Sequence, residues 1–270
     1  MPTVPVNDIE INYEIAGSGE PLLFFTGTGG DLRNRYSILE SPLVDHFQVL
    51  AFDQRGLGQT SKPDKPYSMA GYANDGAGLL DALGWASCLV AGLSFGGMVA
   101  QEFAIRYPQR TRRLVLMCTS SGGAGGDSYP LLELSELSIA ERARRTIELS
   151  DIRWDRQWQA ANSKIFKAAF DLRVSQLEYI SRDPVRAAGA RRQLEARQWH
   201  DTWDRLPGLS MPVGIFGGKY DGVALPENIE KLQQAIPGAT LEMFEGGHLF
   251  FMQDRKAWPR IISFLKNEPT

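Results

Sequence analysis

Short apolar runs recur along this chain, separated by polar or glycine-rich segments and by stretches with helical spacing. In the first run, residues 9–15, apolar side chains occupy every second position, which is typical of a half-buried strand. The later runs are mostly apolar, as in strands covered on both faces. The predicted strands span residues 9–15, 22–25, 48–52, 86–91, 113–118, 213–216 and 240–244, and the predicted helices span residues 70–83, 95–104, 226–236 and 256–265.

The alternation of strands and helices favours a mostly parallel sheet with helices on both faces, and the first run suits an antiparallel edge strand. Residues 122–206 break this alternation because they carry no strand pattern. Their helix signals include a capping box from Ser138 to Glu141 and an N-cap with a following proline at Asp183-Pro184. We therefore predict an α/β core formed by residues 1–121 and 207–270, with residues 122–206 forming a helical cap over the sheet.

Composition narrows the class of protein. The 270 residues are 43% hydrophobic, enough for one large domain or a domain with an insertion. The net charge is −3, and no basic stripe interleaves with aromatic residues, so we expect no nucleic-acid partner. The chain shows neither a signal peptide nor an apolar run long enough to span a membrane. Cys88 and Cys118 fall in predicted core strands and suit free thiols, which favours a cytoplasmic protein. The oligomeric state is not predicted.

The stretch that carries candidate chemistry is Gly92-Leu93-Ser94-Phe95-Gly96, between a buried strand and a helix. A strand that turns this abruptly into a helix crowds its neighbours, so glycines are needed around the turn. The turn exposes the Ser94 hydroxyl, and the following helix directs backbone N–H groups toward the same place. The pattern predicts a nucleophile elbow; the alternative is an ordinary loop that happens to contain a serine.

A serine hydroxyl needs a base to become a nucleophile at neutral pH, and histidine has the most suitable pKa. The chain has three histidines. His46 precedes a strand and suits a surface position, and His200 lies in a charged run of the cap. His248 follows two glycines directly after the last strand, at the sheet edge where α/β proteins bind ligands. We therefore predict His248 as the base, with His200 as an outside candidate for a substrate contact.

The acid that orients the histidine is expected on another loop at the same edge. Asp221 follows the predicted strand 213–216 and fits this position. Its other interpretation is a turn residue that bonds its own backbone. Asp127, in the glycine-rich loop after the preceding strand, is the second candidate. The chain order Ser94, Asp221, His248 is the order used by one hydrolase fold.

Several motifs of this chain resemble those of the α/β-hydrolase-fold serine hydrolases. They are Gly92-Leu93-Ser94-Phe95-Gly96-Gly97, Asp53-Gln54-Arg55-Gly56-Leu57-Gly58, Gly218-Lys219-Tyr220-Asp221 and Gly247-His248. The run from Ser94 to Ala100 is most similar to the enol-lactonase, cofactor-free haloperoxidase and C–C bond hydrolase group. The resemblance covers nearly the whole chain outside the cap. It implies an α/β-hydrolase fold with an eight-stranded sheet, a helical cap and a Ser94–His248–Asp221 catalytic triad.

The resemblance also implies an oxyanion hole, formed by the backbone N–H groups of Phe95 and Thr28. The chain departs from the family in having Thr26-Gly27 where His-Gly is usual, and Gln59-Thr60 at the end of the second motif. Backbone donors need no particular side chain, so Thr26 leaves the hole possible while changing the support of its loop. We expect no metal and no cofactor.

These features lead us to expect hydrolysis of a carboxylic ester or lactone of a small-to-medium, largely apolar substrate. Other activities of the same group, C–C bond hydrolysis of dienoic diketones and perhydrolysis, stay open, as does a non-catalytic ligand receptor or scaffold on this fold. The cap sets the substrate, and the predicted pocket residues are Gly27, Leu93, Phe250, Phe251, Trp154 and Trp158.

Overall fold

The computed structural model of the protein describes residues 1–34 and 37–268. Its centre is an eight-stranded sheet. The strands are β1 (Thr3–Val6), β2 (Ile9–Ala16), β3 (Glu20–Phe25), β4 (Phe47–Phe52), β5 (Cys88–Leu93), β6 (Thr111–Met117), β7 (Val213–Gly218) and β8 (Thr240–Phe244). They lie in the order β1-β2-β4-β3-β5-β6-β7-β8. The eight-stranded α/β sheet that the family resemblance implied is confirmed.

Strand direction divides the sheet into two parts. β2 pairs antiparallel with both β1 and β4, whereas every pairing from β4 through β8 is parallel. On the antiparallel side the edge strand is therefore β1 and not β2, which contradicts the expectation for residues 9–15. No sequence pattern predicted β1. It has four residues and includes Pro5, so it is too short for a periodicity signal.

The helices between and after these strands are α1 (Met69–Ala82), α2 (Phe95–Arg106), α3 (Ile139–Ser150), α4 (Arg156–Ala161), α5 (Ser163–Ser181), α6 (Pro184–Gln198), α7 (Pro226–Ala235), α8 (Phe250–Gln253) and α9 (Ala257–Lys266). The four predicted helices correspond to α1, α2, α7 and α9. Within the described ranges, no helix has the length and apolar character needed to cross a membrane.

Both faces of the sheet are buried, which explains the continuous apolar runs of the parallel strands. In β3, Leu23 and Phe25 pack into the cluster beneath α1 and α2, and the Phe25 ring lies 5.6 Å from that of Phe103. The alternate residues Leu22 and Phe24 belong to the cluster on the opposite face, which α9 covers. A parallel sheet between two helical layers results.

Helices α3 to α6 all lie between β6 and β7, in the segment that interrupts the strand–helix alternation. The capping box is present: the Ser138 hydroxyl accepts the Glu141 N–H, and the Glu141 carboxylate accepts the Ser138 N–H. Asp183 caps α6 ahead of Pro184, as expected. The division into a core of residues 1–121 and 207–270 and a cap of residues 122–206 stays a prediction.

At the turn from β5 into α2, the backbone segments of β3, β5 and α2 lie in contact. A Cβ atom on Gly96 would lie 2.0 Å from the carbonyl oxygen of Phe25, and one on Gly92 would lie 2.2 Å from the carbonyl oxygen of Gly96. Strand β5 continues to Leu93, beyond the end predicted at residue 91. Its pairing with β6 extends to that residue, so Gly92 is a strand residue chosen for close approach.

We expect Gly96→Ala to lower the free energy of unfolding by at least about 2 kcal/mol, because the added methyl group meets backbone that cannot rotate away. Chemical denaturation monitored by tryptophan fluorescence measures the change. Gly208→Ala is the matched control: its Cβ would meet nothing within 4 Å, so it should change stability by less than about 1 kcal/mol. Equal effects of the two substitutions would contradict the steric account.

His200 lies two residues after the end of α6, and its side chain is buried. Its Nε2–H donates to the carbonyl oxygen of Ser120 at 3.2 Å, and its Nδ1 has no hydrogen-bond partner among residues 1–34 and 37–268. Burial lowers the pKa of His200 to about 4, from an ordinary value of 6.5. The imidazole is therefore neutral at pH 7.

Between pH 6.5 and about 4 the unfolded chain binds a proton at His200 that the folded chain does not. Stability should therefore fall as the pH drops through this range, by at most about 1.4 kcal/mol per pH unit from this group. His200→Gln should flatten the dependence when denaturation is measured from pH 4 to 7. His46→Gln, at an exposed histidine, is the control, and an unchanged slope in His200→Gln would refute the assignment.

Candidate active site

Residues with nucleophilic or titratable side chains follow four neighbouring parallel strands. Ser94 follows β5, Cys118 follows β6, Asp221 lies three residues beyond β7 and His248 lies four residues beyond β8. Because these strands are adjacent and parallel, their carboxyl ends form one edge of the sheet. In open α/β sheets this edge is where ligands bind.

Ser94 has a backbone conformation that few residues adopt, with φ 56° and ψ −118°. Its N–H donates to the Met117 carbonyl at 2.8 Å, and its own carbonyl accepts the Thr119 hydroxyl at 3.0 Å and the Gly97 N–H at 2.9 Å. These bonds hold the strained residue from both sides. Ser94 directly precedes α2, so its side chain stands at the positive end of the helix dipole. This geometry is that of a nucleophile elbow.

Asp221 and His248 are hydrogen-bonded to one another. The Nδ1–H of His248 donates to Oδ2 of Asp221 at 2.7 Å, and the Asp221 side chain is fully buried. The other carboxylate oxygen, Oδ1, accepts the N–H groups of Val223 at 2.7 Å and Ala224 at 2.9 Å. Asp221 therefore bonds both its own turn and His248. The two turn bonds fix the carboxylate that accepts the histidine N–H.

The second candidate acid is placed elsewhere. Asp127 is exposed, and its backbone carbonyl accepts a hydrogen bond from the side-chain amide of Asn228 at 2.9 Å.

The end of α3 contacts the loop that carries His248. The His248 N–H donates to the Ser150 carbonyl at 2.6 Å. A Cβ atom on Gly247 would lie 2.0 Å from that same carbonyl oxygen, so the glycine permits the approach.

Cys118 is a neighbour that the sequence analysis assigned only to a core strand. It has a positive φ of 48°, and burial raises the pKa of its thiol well above the ordinary range. Its sulfur, a carboxylate oxygen of Asp221 and a ring nitrogen of His248 lie within 4.8 Å of one another. These atom types bind zinc, but the Asp221–His248 hydrogen bond already occupies two of them. The absence of a metal and of a cofactor stays a prediction.

The glycine-rich loop after β3 lies beside the elbow, where the predicted oxyanion hole requires it. A Cβ atom on Gly27 would lie 3.7 Å from Cβ of Ser94. Among the described residues, the N–H groups of Thr28 and Phe95 have no hydrogen-bond acceptor. Two free donors near the elbow can hold a negatively charged oxygen.

Two glutamines support this loop, and neither is among the predicted site residues. Gln54 Nε2–H donates to the Thr26 carbonyl at 2.7 Å, and Oε1 of Gln193, on α6, accepts the Gly29 N–H at 2.9 Å. Gln54 lies in the second of the four motifs that resemble those of the family. Gln193 comes from a distant segment, and glutamine in a helix is too common to be a signal.

The predicted pocket residues have different surroundings. Phe250 is fully buried and stacks on Phe244 with ring centres 5.0 Å apart, which corrects the expectation that it lines the pocket. Phe251 packs on Trp258 and lines a surface groove beside α9. The side chain of Phe95 is also buried in the core, so the predicted role in the oxyanion hole rests on its backbone N–H alone.

Trp154 and Trp158 stack on each other, with ring centres 4.8 Å apart, and both are half-buried. Leu93 is half-buried beside Gly27. Contact of these residues with a substrate stays a prediction.

Comparisons with known proteins agree with this architecture. Residues 20–255 match the family model described as the alpha/beta hydrolase fold. The chain is 31% identical over 252 residues to a poly(3-hydroxyalkanoate) depolymerase of Ectopseudomonas oleovorans, which covers 92% of this chain and 85% of that protein. It is 24% identical over 263 residues to 3-oxoadipate enol-lactonase 2 of Acinetobacter baylyi, covering 96% and 94% of the two chains.

Among solved structures, the enol-lactonase from Burkholderia xenovorans superposes with a TM-score of 0.79. The match covers 98% of this chain and all (100%) of that one, at 23% identity, which is a likeness of fold. The family match spans far more than half of the residues and includes the elbow, the acid and the histidine loop. The chain therefore belongs to the alpha/beta hydrolase fold family and is a hydrolase.

Proposed function

We propose that this protein is a serine hydrolase that cleaves a carboxylic ester or lactone of a small-to-medium, largely apolar substrate. The observation that carries the proposal is the 2.7 Å hydrogen bond between Asp221 and His248 at the sheet edge that also bears the Ser94 elbow. Ser94 is the nucleophile, His248 the general base and Asp221 the group that orients the base.

The first half of the reaction forms an acyl-enzyme. Because Nδ1–H of His248 donates to Asp221, Nε2 carries the lone pair that takes the proton from the Ser94 hydroxyl. The Ser94 oxygen then attacks the carbonyl carbon, and the carbonyl oxygen becomes an oxyanion. The N–H groups of Phe95 and Thr28 stabilise this oxyanion, a contribution of roughly 3–4 kcal/mol per donor in comparable enzymes.

Collapse of the tetrahedral intermediate breaks the bond to the alkoxy group, and the imidazolium of His248 gives that group its proton. Asp221 stabilises the imidazolium while it exists. In the second half, His248 takes a proton from water, the resulting hydroxide attacks the acyl carbon, and Ser94 leaves with its proton restored. A lactone follows the same steps, with the leaving alcohol still attached to the acyl group.

The names of the relatives support this bond type. One is named as a poly(3-hydroxyalkanoate) depolymerase and another as a 3-oxoadipate enol-lactonase. We therefore include a 3-hydroxyalkanoate ester and an enol-lactone in the substrate panel, beside simple activated esters. We further propose that the only partner the reaction needs is this small-molecule substrate, and that the protein is cytoplasmic.

We expect Ser94→Ala to reduce hydrolysis of a nitrophenyl ester by about 10⁴-fold or more, because no other group can form the acyl-enzyme. Steady-state release of nitrophenolate measures the loss. Ser175→Ala, at an exposed position on α5, is the matched control and should retain wild-type turnover. Near wild-type turnover in Ser94→Ala would show that the nucleophile lies elsewhere.

A fluorophosphonate probe separates an enzyme from a ligand receptor on the same fold. The proposal requires covalent labelling of Ser94 in the folded protein, and absence of labelling would favour the receptor. If the label forms but no ester or lactone turns over, the panel is extended to dienoic diketones and to hydrogen peroxide as acyl acceptor. Turnover of only those substrates would replace the proposed bond type.

We expect Asp221→Asn to lower kcat by up to about 10⁴-fold and by less than His248→Ala, because the amide favours the wrong imidazole tautomer and leaves the imidazolium unpaired. Asp127→Asn is the control, since that aspartate is exposed and its side chain has no role in the proposal. The kcat of all three variants is measured on the same ester. Full activity in Asp221→Asn with a large loss in Asp127→Asn would move the acid to Asp127.

A further inference from the structure

The loop beside Ser94 is tied to a helix far away in sequence. The N–H of Gly29 donates to Oε1 of Gln193 at 2.9 Å, across a separation of 164 residues. We propose that Gln193 is a positioning residue that holds the oxyanion loop in its active conformation. This inference rests on the proposed function, because the loop's importance comes from the Thr28 N–H.

The loop needs such support because its own sequence is flexible. Three of the four residues from Gly27 to Gly30 are glycine, and Gly29 has a φ of +71°. Side chains hold the two ends: Gln54 bonds the Thr26 carbonyl at 2.7 Å, and Oδ1 of Asp53 accepts the Leu32 N–H at 2.8 Å. Between these two ends, among residues 1–34 and 37–268, Gln193 supplies the side-chain hydrogen bond to the loop backbone.

The position of that bond matters for the proposed hole. The Gly29 N–H lies in the peptide plane that begins at the Thr28 carbonyl. Fixing this plane limits rotation about the Thr28 backbone and so limits where the Thr28 N–H points. Displacement of an oxyanion donor by about 1 Å is enough to weaken catalysis substantially. Gln193 thus acts on the reaction through Thr28, without touching the reacting atoms.

The surroundings of Gln193 show that packing alone does not require an amide there. The side chain is fully buried, and within the described ranges its Nε2 finds no hydrogen-bond acceptor. An unpaired buried donor is unfavourable, so an apolar side chain of the same length would suit the site at least as well. The amide oxygen of Gln193 is needed for a different reason: it accepts the hydrogen bond from the Gly29 N–H.

Helix α6 itself is held firmly on the core, which gives Gln193 a defined position. A Cβ atom on Gly189 would lie 2.2 Å from the Gly56 carbonyl oxygen, so the helix backbone touches the loop after β4. One turn later, Arg192 donates to the Pro63 carbonyl at 3.3 Å and pairs with Asp64. Residues 189, 192 and 193 share one helix face. Docking of this helix therefore also sets the oxyanion loop.

The test compares Gln193→Met with Arg191→Met. Methionine keeps the length of glutamine, so the variant should fold, and it removes the acceptor. We expect Gln193→Met to lower kcat on a nitrophenyl ester by about tenfold while KM changes less than about twofold, since the lost effect belongs to the transition state. Arg191→Met changes an exposed side chain of the same helix, which pairs with Glu195, and should retain wild-type kcat.

A second readout does not depend on activity. Hydrogen–deuterium exchange of the peptide covering residues 26–32 should be about tenfold faster in Gln193→Met and unchanged in Arg191→Met. Gln193→Glu keeps an acceptor oxygen at the same reach and should retain the slow exchange. If Gln193→Met exchanges as slowly as the wild type, or if Arg191→Met loses as much kcat, the positioning role is wrong.

The two readouts keep this inference separate from the proposed function. Absence of turnover and of Ser94 labelling in the wild-type protein overturns the proposed function, and the catalytic role of Gln193 falls with it. Faster exchange confined to Gln193→Met would then still establish that Gln193 holds the loop. Normal wild-type turnover with unchanged exchange and kcat in Gln193→Met would overturn the inference alone.

Discussion

The architecture depends on how closely the turn between β5 and α2 approaches β3. Gly96 lies against the Phe25 carbonyl, and Gly92 lies against Gly96, with no room for a side chain at either position. This approach makes the turn sharp enough to force Ser94 into its unusual backbone conformation. It also brings the end of β3, and with it the loop from Thr26 to Gly30, beside the serine. The backbone conformation of Ser94 and the position of the loop beside it thus have the same steric cause.

The parallel part of the sheet supplies the remaining groups. Because β5, β6, β7 and β8 are neighbours with one direction, short loops after β7 and β8 bring Asp221 and His248 together. Burial of the Asp221 carboxylate is compensated by three hydrogen bonds, two from its own turn and one from the histidine. A fully bonded carboxylate has little freedom, so the imidazole it holds is oriented before any substrate arrives.

Several hydrogen bonds connect the helical segment between β6 and β7 to this edge of the sheet. The last turn of α3 bonds the His248 backbone through the Ser150 carbonyl, and α6 bonds the loop after β3 through Gln193. In a family where a histidine commonly follows the third strand, this chain has Thr26. Here Gln54 and Gln193 supply the side-chain bonds to the loop. The segment between β6 and β7 therefore takes part in holding the groups at this edge of the sheet.

Local pattern was enough to predict most of the strands and helices. The bounds of β8, the glycines of the elbow and the capping residues Ser138 and Asp183 follow from periodicity and backbone sterics, which act between near neighbours in the chain. The short edge strand β1 was missed for the same reason, since four residues carry too little pattern.

Tertiary structure alone decided which distant groups meet. Asp221 and Asp127 both follow suitable strands, and only packing placed one against His248 and left the other exposed. Phe250 and Phe251 are adjacent in sequence, yet the first is fully buried and the second borders a surface groove. Gln193 meets Gly29 across 164 residues. Such contacts depend on how whole elements pack, and no local pattern records that arrangement.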